Sequence, residues 1–238
     1  MMKVQVIPAY QQASQNLHAS DHPDKEQKEA TIHAGMFGYL SWAYVTEDIY
    51  FPTHRNGAMD FYIYVLTQGH ITGDRIGNYS RIHENDMVIM QTGATNSPVV
   101  KHIAPDFKGF EFWFAEEGVL KGTEEPDFLK INAAQFPMKI VNDVIERQLF
   151  GDDAPVSHIN GLRITELILP PDTVYRYDLF AGRKVGIYVV NGEGRIEKHV
   201  YIKGDFAEII QQDDPVDVIA IQGGGEETSH LILMDIKV

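Results

Sequence analysis

Tyr62-Ile63-Tyr64-Val65-Leu66, a stretch bearing Gly69 and Gly77-Asn78, then Glu84-Asn85-Asp86 and the apolar run Met87-Val88-Ile89-Met90: this order decides the fold, because the chain writes it a second time. The second copy runs Gly186-Ile187-Tyr188-Val189-Val190, Asn191-Gly192-Glu193-Gly194, Lys203-Gly204-Asp205 and Phe206-Ala207-Glu208-Ile209-Ile210. Tyr64 to Tyr188 is a shift of 124 residues, Asp86 to Asp205 one of 119 and Phe112 to Leu233 one of 121, so an internal duplication accounts for all three. Each copy reads as a strand, a decorated return, a tight turn and a second strand, which is how antiparallel barrels wrap. Asn191-Gly192 suits the positive-φ positions of a hairpin, and Gly204-Asp205 offers a tight turn before an apolar strand.

Outward from these copies the pattern stays β. Short runs rich in Val, Ile, Tyr and Phe predict strands at Tyr39–Tyr44, Phe61–Leu66, Met87–Met90, Phe110–Phe114, Leu162–Leu169, Val185–Val190, Phe206–Ile210, Val216–Ile221 and Leu231–Ile236. Helical periodicity is confined to Pro126–Phe136 and Asp143–Gln148. Residues 11–33, with His18, His22 and His33 among many charges, read as an exposed arm. Within the polar segment Glu116–Pro137, residues 119–137 are the expected linker. It separates an N-terminal barrel with its polar arm (1–118) from a C-terminal barrel (138–238).

Composition narrows the function classes. The 238 residues are 44% hydrophobic and 23% charged, ordinary values for a globular chain. A formal charge of −14 disfavours phosphate backbones and anionic membranes, so neither direct nucleic-acid nor membrane binding is expected. The absence of Cys removes disulfides, thiolate metal sites and thiol nucleophiles. The start Met1–Pro8 lacks a signal-peptide core, and the expected location is cytoplasmic.

The doubled unit resembles the bicupin pattern, and its first half resembles the pirin family. The matching residues are Pro52-Thr53-His54-Arg55, Tyr64-Val65-Leu66, Asp74-Arg75-Ile76-Gly77-Asn78, Asp86 through Thr92-Gly93, and Phe110-Glu111-Phe112-Trp113. From Leu162 onward the likeness is looser. The resemblance implies an all-β fold of two cupin-type jelly-roll barrels in tandem, face to face. It also implies one iron in the N-terminal barrel, held by three histidines and a glutamate; some members cleave flavonols as quercetin dioxygenases. Four protein ligands leave iron positions open for substrate and dioxygen. Here the first histidine motif keeps only His54, and the following His-x-Glu motif falls on Pro98-Val99-Val100, where Pro98 and Val100 carry no ligand atom. A rebuilt triad of His54, His102 and the carboxylate of Asp60 is the alternative metal set.

The remaining motifs carry structural readings. His158, His199 and His230 are expected at the surface, and adjacency of Ser157 and His158 is no triad signal. Gly192-Glu193-Gly194 lacks the helix of a dinucleotide fingerprint, and Gly223-Gly224-Gly225 lacks the Lys-Ser/Thr of a phosphate loop. Asp152-Asp153 and Asp213-Asp214 read as solvated turns, and Phe110, Phe112, Trp113 and Phe114 as barrel core. The sequence thus predicts a monomeric pirin-like bicupin of small-molecule-binding or regulatory role that has lost most of its metal set and needs no cofactor. Its ligand pocket is expected at His54, Phe61, Ile63, Asn96, His102 and Phe112, with odd members of the 61–65 strand pointing inward; reversed alternation would present Tyr62 and Tyr64 instead. Two rivals stand beside it: a quercetin 2,3-dioxygenase-type enzyme using iron or another divalent metal on the rebuilt set, and a protein-interaction module acting on a transcription factor.

Overall fold

The computed structural model describes residues 2–12, 32–37, 40–46, 60–67, 69–72, 79–91, 102–103, 108–114, 127–157, 159, 161–211 and 216–237. In chain order the strands are β1 (Met2–Ile7), β2 (Ile32–Phe37), β3 (Leu40–Thr46), β4 (Asp60–Val65), β5 (Gly69–Thr72), β6 (Tyr79–Ile82), β7 (Met87–Gln91), β8 (His102–Ile103), β9 (Lys108–Phe114) and β10 (Asp127–Ile131). They continue with β11 (Met138–Val141), β12 (Val144–Phe150), β13 (Leu162–Leu169), β14 (Val174–Phe180), β15 (Arg183–Asn191), β16 (Glu193–Ile196), β17 (His199–Ile202), β18 (Phe206–Gln211), β19 (Val216–Gly223) and β20 (Ser229–Lys237). The only helical turns among the described residues are 3-10 turns at Ala9–Gln11 and Ala133–Gln135. No helix of the described residues is long and apolar enough to cross a membrane. Each strand expected from the sequence is formed, and the fold is all-β.

Two compact units divide the chain, one of Met1–Gln12 with Ala134–Val238 and one of Ala13–Ala133. In the C-terminal unit a seven-stranded sheet, β1-β18-β15-β20-β13-β12-β11, is joined by a four-stranded one, β14-β19-β16-β17. Alternate residues fill the space between them: Leu167 and Leu169 on β13, Val185, Ile187 and Val189 on β15, Leu231 and Leu233 on β20, with Leu179, Ile196, Ile219 and Ile221 opposite. The chain changes sheet at Gly192, since β15 pairs with β18 and β20 while β16 pairs with β17 and β19. The expected Asn191-Gly192 hairpin is therefore a corner of the barrel. Glycine is required there because φ is +86° and an added Cβ would lie 2.6 Å from Ser229 Cα.

The N-terminal unit repeats the plan with a six-stranded sheet, β10-β7-β4-β9-β3-β2, and a three-stranded one, β6-β5-β8. The repeat holds bond for bond. Val65 N–H donates to Asp86 O at 3.0 Å and Asn85 N–H to Val65 O at 2.7 Å; Val189 N–H donates to Asp205 O at 2.9 Å and Gly204 N–H to Val189 O at 2.7 Å. Asn85 and Gly204 both take the left-handed conformation, at φ 67° and 86°. Asp86 Oδ2 accepts His83 N–H at 2.9 Å, as Asp205 Oδ2 accepts Ile202 N–H at 3.0 Å.

The same two aspartates reveal an exchange of strands. Asp205 Oδ1 accepts Ala9 N–H at 3.2 Å and Asp86 Oδ1 accepts Ala133 N–H at 2.9 Å, each from the 3-10 turn that follows a strand. Ala9 and Ala133 are 124 residues apart, the offset of Tyr64 and Tyr188. β1 opens the first copy but pairs with β18 of the second, Met2 opposite Gln211 to Ile7 opposite Phe206. β10 opens the second copy but pairs with β7 of the first. Three expectations are corrected by this. Residues 2–12, expected within the N-terminal barrel's span of 1–118, complete the C-terminal sheet instead, with Met2, Val4 and Val6 packed on its core. Residues 127–131 are not linker but an edge strand of the N-terminal sheet. The helix expected over Pro126–Phe136 is β10 followed by a 3-10 turn, because ladder partners on β7 outweigh weak local periodicity.

The helix expected over Asp143–Gln148 is also a strand. Asn142 and Asp143 at φ 51° and 66° form a two-residue turn of the I′ type, and β11 and β12 pair on either side of it, Val141 opposite Val144.

Candidate functional site

The bond-for-bond repeat settles which face of each sheet is the barrel interior. Val65 occupies the place of Val189, so Ile63 occupies that of Ile187, which is core. Ile63 and Val65 are fully buried on that face. Ile63 and Val65 thus face inward; Tyr62 and Tyr64 are buried on the other face, where Tyr64 O–H meets Asn85 Oδ1 at 3.0 Å.

Register then carries the assignment across the sheet. On β9, Glu111 stands opposite Ile63, and Ile63 opposite Val88 on β7, so these three share the interior row. Phe112 stands opposite Tyr62 and Phe110 opposite Tyr64, on the reverse face. There Phe110 and Phe112 stack at 5.8 Å and 10°, and Tyr44 tilts on Phe110 at 5.2 Å. Phe112 and Ile63 thus cannot line one pocket, and Phe110 and Phe112 are core of the sheet's outer face rather than barrel filling. The matching register in the second unit sets Ile187 opposite Leu233, making Glu111 rather than Phe112 the counterpart of Leu233. An offset of 122 replaces the expected 121, and one residue of slip reverses the face.

Of the remaining pocket candidates, His54 and Asn96 lie outside the described residues, as do Pro98 and Val100. Asp60, Phe61 and His102 are placed by backbone alone: Asp60 opens β4 opposite Gln91, Phe61 follows opposite Met90, and His102 lies in β8 opposite Thr72. Of the rebuilt triad, His54 thus lies outside the described residues, and Asp60 and His102 are placed in β4 and β8. Sequence reasoning missed Glu111, which is 2% exposed on the interior row. The signal was present: a single charge, second in the otherwise aromatic run Phe110–Phe114.

The C-terminal barrel holds buried ionisable groups of another kind. Tyr177 O–H donates to Asp235 Oδ2 at 2.5 Å, Arg183 Nε to Asp235 Oδ1 at 2.7 Å, and Tyr175 O–H to Glu146 Oε2 at 3.0 Å. Burial, then the facing carboxylates, push both phenols far above their usual range. Burial also raises Asp235, outweighing the opposing pull of Tyr177 and Arg183. On the reverse face Glu166 accepts from Arg147 at 2.5 Å and meets His230 Nε2 at 2.8 Å, so the half-buried His230 is a partner of a buried carboxylate. Donors of the chain itself close both sets, which makes them fastenings of the sheets.

Asp86 is the corresponding fastening of the N-terminal unit. Burial pushes its carboxyl up, yet the His83 and Ala133 amides and the Lys130 ammonium at 2.9 Å together hold it below 3.8.

No family model matches the chain, and no curated protein matches it in sequence. Its architecture has clear counterparts. Quercetin 2,3-dioxygenase from Acinetobacter baumannii superposes with a TM-score of 0.73 over 98% of this chain and 79% of that one, at 14% identity. Bacterial pirin YhhW from Escherichia coli, in complex with nickel(II), does so with a TM-score of 0.63 over 99% of both chains, at 15% identity. The chain has the pirin-like cupin fold. GK1651 from Geobacillus kaustophilus is a further counterpart, with a TM-score of 0.64 over 83% of this chain and 81% of that one, at 18% identity. A pirin-like arrangement accounts for the doubled unit and for the two pairs of sheets; at these identities it speaks of fold alone.

Proposed function

We propose that this pirin-like bicupin binds a small molecule in its N-terminal barrel and no longer holds iron in the manner of metal-bearing relatives. The observation that carries the reading is the residue pair Pro98 and Val100, which stands where the pirin resemblance expects His and Glu and offers no ligand atom. The donor set therefore does not fit the group. The C-terminal barrel is closed to a ligand by its aliphatic filling, which leaves the N-terminal barrel as the chamber to test.

The test is oxygen consumption with a flavonol and added ferrous iron. The expected result is no turnover above that of free iron, because a site with few ligands neither retains nor tunes the metal. Turnover that a chelator abolishes would overturn the reading in favour of the rebuilt triad of His54, His102 and a carboxylate. The likeness to a quercetin 2,3-dioxygenase at a TM-score of 0.73 is what keeps that second reading in view.

A further inference from the structure

We propose that β11 is an edge for self-association: two copies of this chain pair through Met138–Val141, antiparallel about a two-fold axis at Lys139, and join their C-terminal sheets into one. The pairing holds whether or not the small-molecule reading does, and departs from the monomer expected from the sequence.

β11 ends the seven-stranded sheet, and β12 is the one strand among the described residues that pairs with it. All of its residues are exposed, Met138 at 56%, Ile140 at 66% and Val141 at 46%. Edges are ordinarily blunted by free charges, by proline or by a bulge. Here Lys139 is the single charge, and its ammonium lies 3.3 Å from Glu146 Oε1 on the neighbouring strand.

The ladder with β12 fixes which backbone groups face out. Gln148 N–H donates to Pro137 O at 2.9 Å, and bonded pairs recur at every second residue. Lys139 and Val141 therefore turn their N–H and C=O to β12, while Met138 and Ile140 turn theirs to the open side. A second β11 satisfies all of them at one register. With Lys139 opposite itself, Met138 meets Ile140 of the second copy and Ile140 meets its Met138, which closes four backbone bonds. A slip of two residues either way sets one of them against Phe136, outside the strand, or against Asn142, in the turn at φ 51°. The side chains agree with that register. On one face the row Ile168, Ile145 and Ile140 continues onto Met138 of the second copy. On the other the row runs Glu146, Lys139, Lys139 and Glu146 and sums to no charge, so two chains of formal charge −14 meet without setting acid against acid. The facing lysines keep the contact weak.

The chain has no Cys, so one introduced thiol reads the register. In Lys139→Cys the residue meets itself across a non-bonded antiparallel pair, about 4.5 Å between Cα atoms and within disulfide reach. With oxidised glutathione as the oxidant, this variant should form a disulfide-linked dimer about tenfold faster than Val141→Cys or than Val200→Cys, whose site on β17 is 59% exposed. Equal rates in all three would overturn the proposal. Analytical ultracentrifugation then reads the unmodified chain. The expected result is a concentration-dependent dimer of the parent that is lost in Ile140→Pro, which removes an N–H that β12 does not use, and in Ile140→Lys, with folding checked by circular dichroism. A parent that stays monomeric up to about 0.5 mM, where even a weak contact is populated, would overturn the proposal and leave the edge to a strand of another protein. A dimer that survives in both variants would place the contact elsewhere and overturn it equally. If Ile140→Pro does not fold, Ile140→Lys decides.

Discussion

Single residues carry the two-fold logic of this protein most sharply at Asp86 and Asp205. Each aspartate closes the turn before a returning strand and also receives the 3-10 turn of a strand arriving from the other half of the sequence. Asp86→Asn replaces one acceptor oxygen by an amide donor that must face an N–H, at a cost of about 1–3 kcal/mol at pH 7. The pH dependence follows from the depressed carboxyl. Because the folded value lies below 3.8, the ionised form favours the fold above that value, and the contribution disappears as pH falls through the folded value. Urea unfolding at pH 7, 4 and 3 should therefore show the gap between parent and variant narrowing with acid; a constant gap would show that the carboxylate charge is irrelevant. The pairing of Asp86 with Asp205 was legible in the sequence, because a turn leaves Asp and a following apolar run as its mark. The face of Phe112 was not. Its offset to Leu233 differs from the observed register by one residue, and alternation in a strand converts that small slip into a full reversal, hiding Glu111 behind an apolar assignment.

Elements were legible where alternation was local and illegible where pairing was remote. Strands β13, β15 and β20 announce themselves by runs of Val, Ile and Leu, whereas β10 looked helical because its partner β7 lies on a distant segment. β1 shows the limit best: nothing within Met2–Ile7 states that its neighbour is β18, some two hundred residues away. Half-buried Met2, Val4 and Val6 each contribute on the order of 1 kcal/mol by area removed from water. Gln12 adds a clasp, its Nε2 donating to Gly204 O at 2.6 Å and to Ile7 O at 3.1 Å. Deleting residues 1–12 should therefore lower the melting temperature markedly and expose the edge of β18. A peptide of residues 1–12 added in trans should restore part of the loss. A truncated protein that melts with the parent would show that the strand is an ornament on the C-terminal sheet rather than a member of it.

At the scale of the whole molecule, the exchanged strands mean that the boundaries of the sequence repeat and those of the folded units are different places. The repeat divides between β9 and β10, within residues 115–126, where the sequence also changes from apolar runs to polar residues. The units divide after Ala133, and residues up to Gln12 belong with the later part. A chain cut between residues 120 and 121 thus gives two fragments, each holding an edge strand that the other needs: β1 travels with the N-terminal fragment and β10 with the C-terminal one. Expressed alone, each fragment lacks one strand and presents a bare edge, on β7 or on β18, which favours aggregation. Co-expressed, the fragments should assemble one to one, because both edges are then covered by the ladders seen here, six residue pairs for β1 and five for β10. Size-exclusion chromatography with light scattering reads the outcome directly: a single species of the parent's mass for the co-expressed pair, aggregates or molten material for either alone. Two separately folded, monomeric fragments that ignore one another would contradict the exchange.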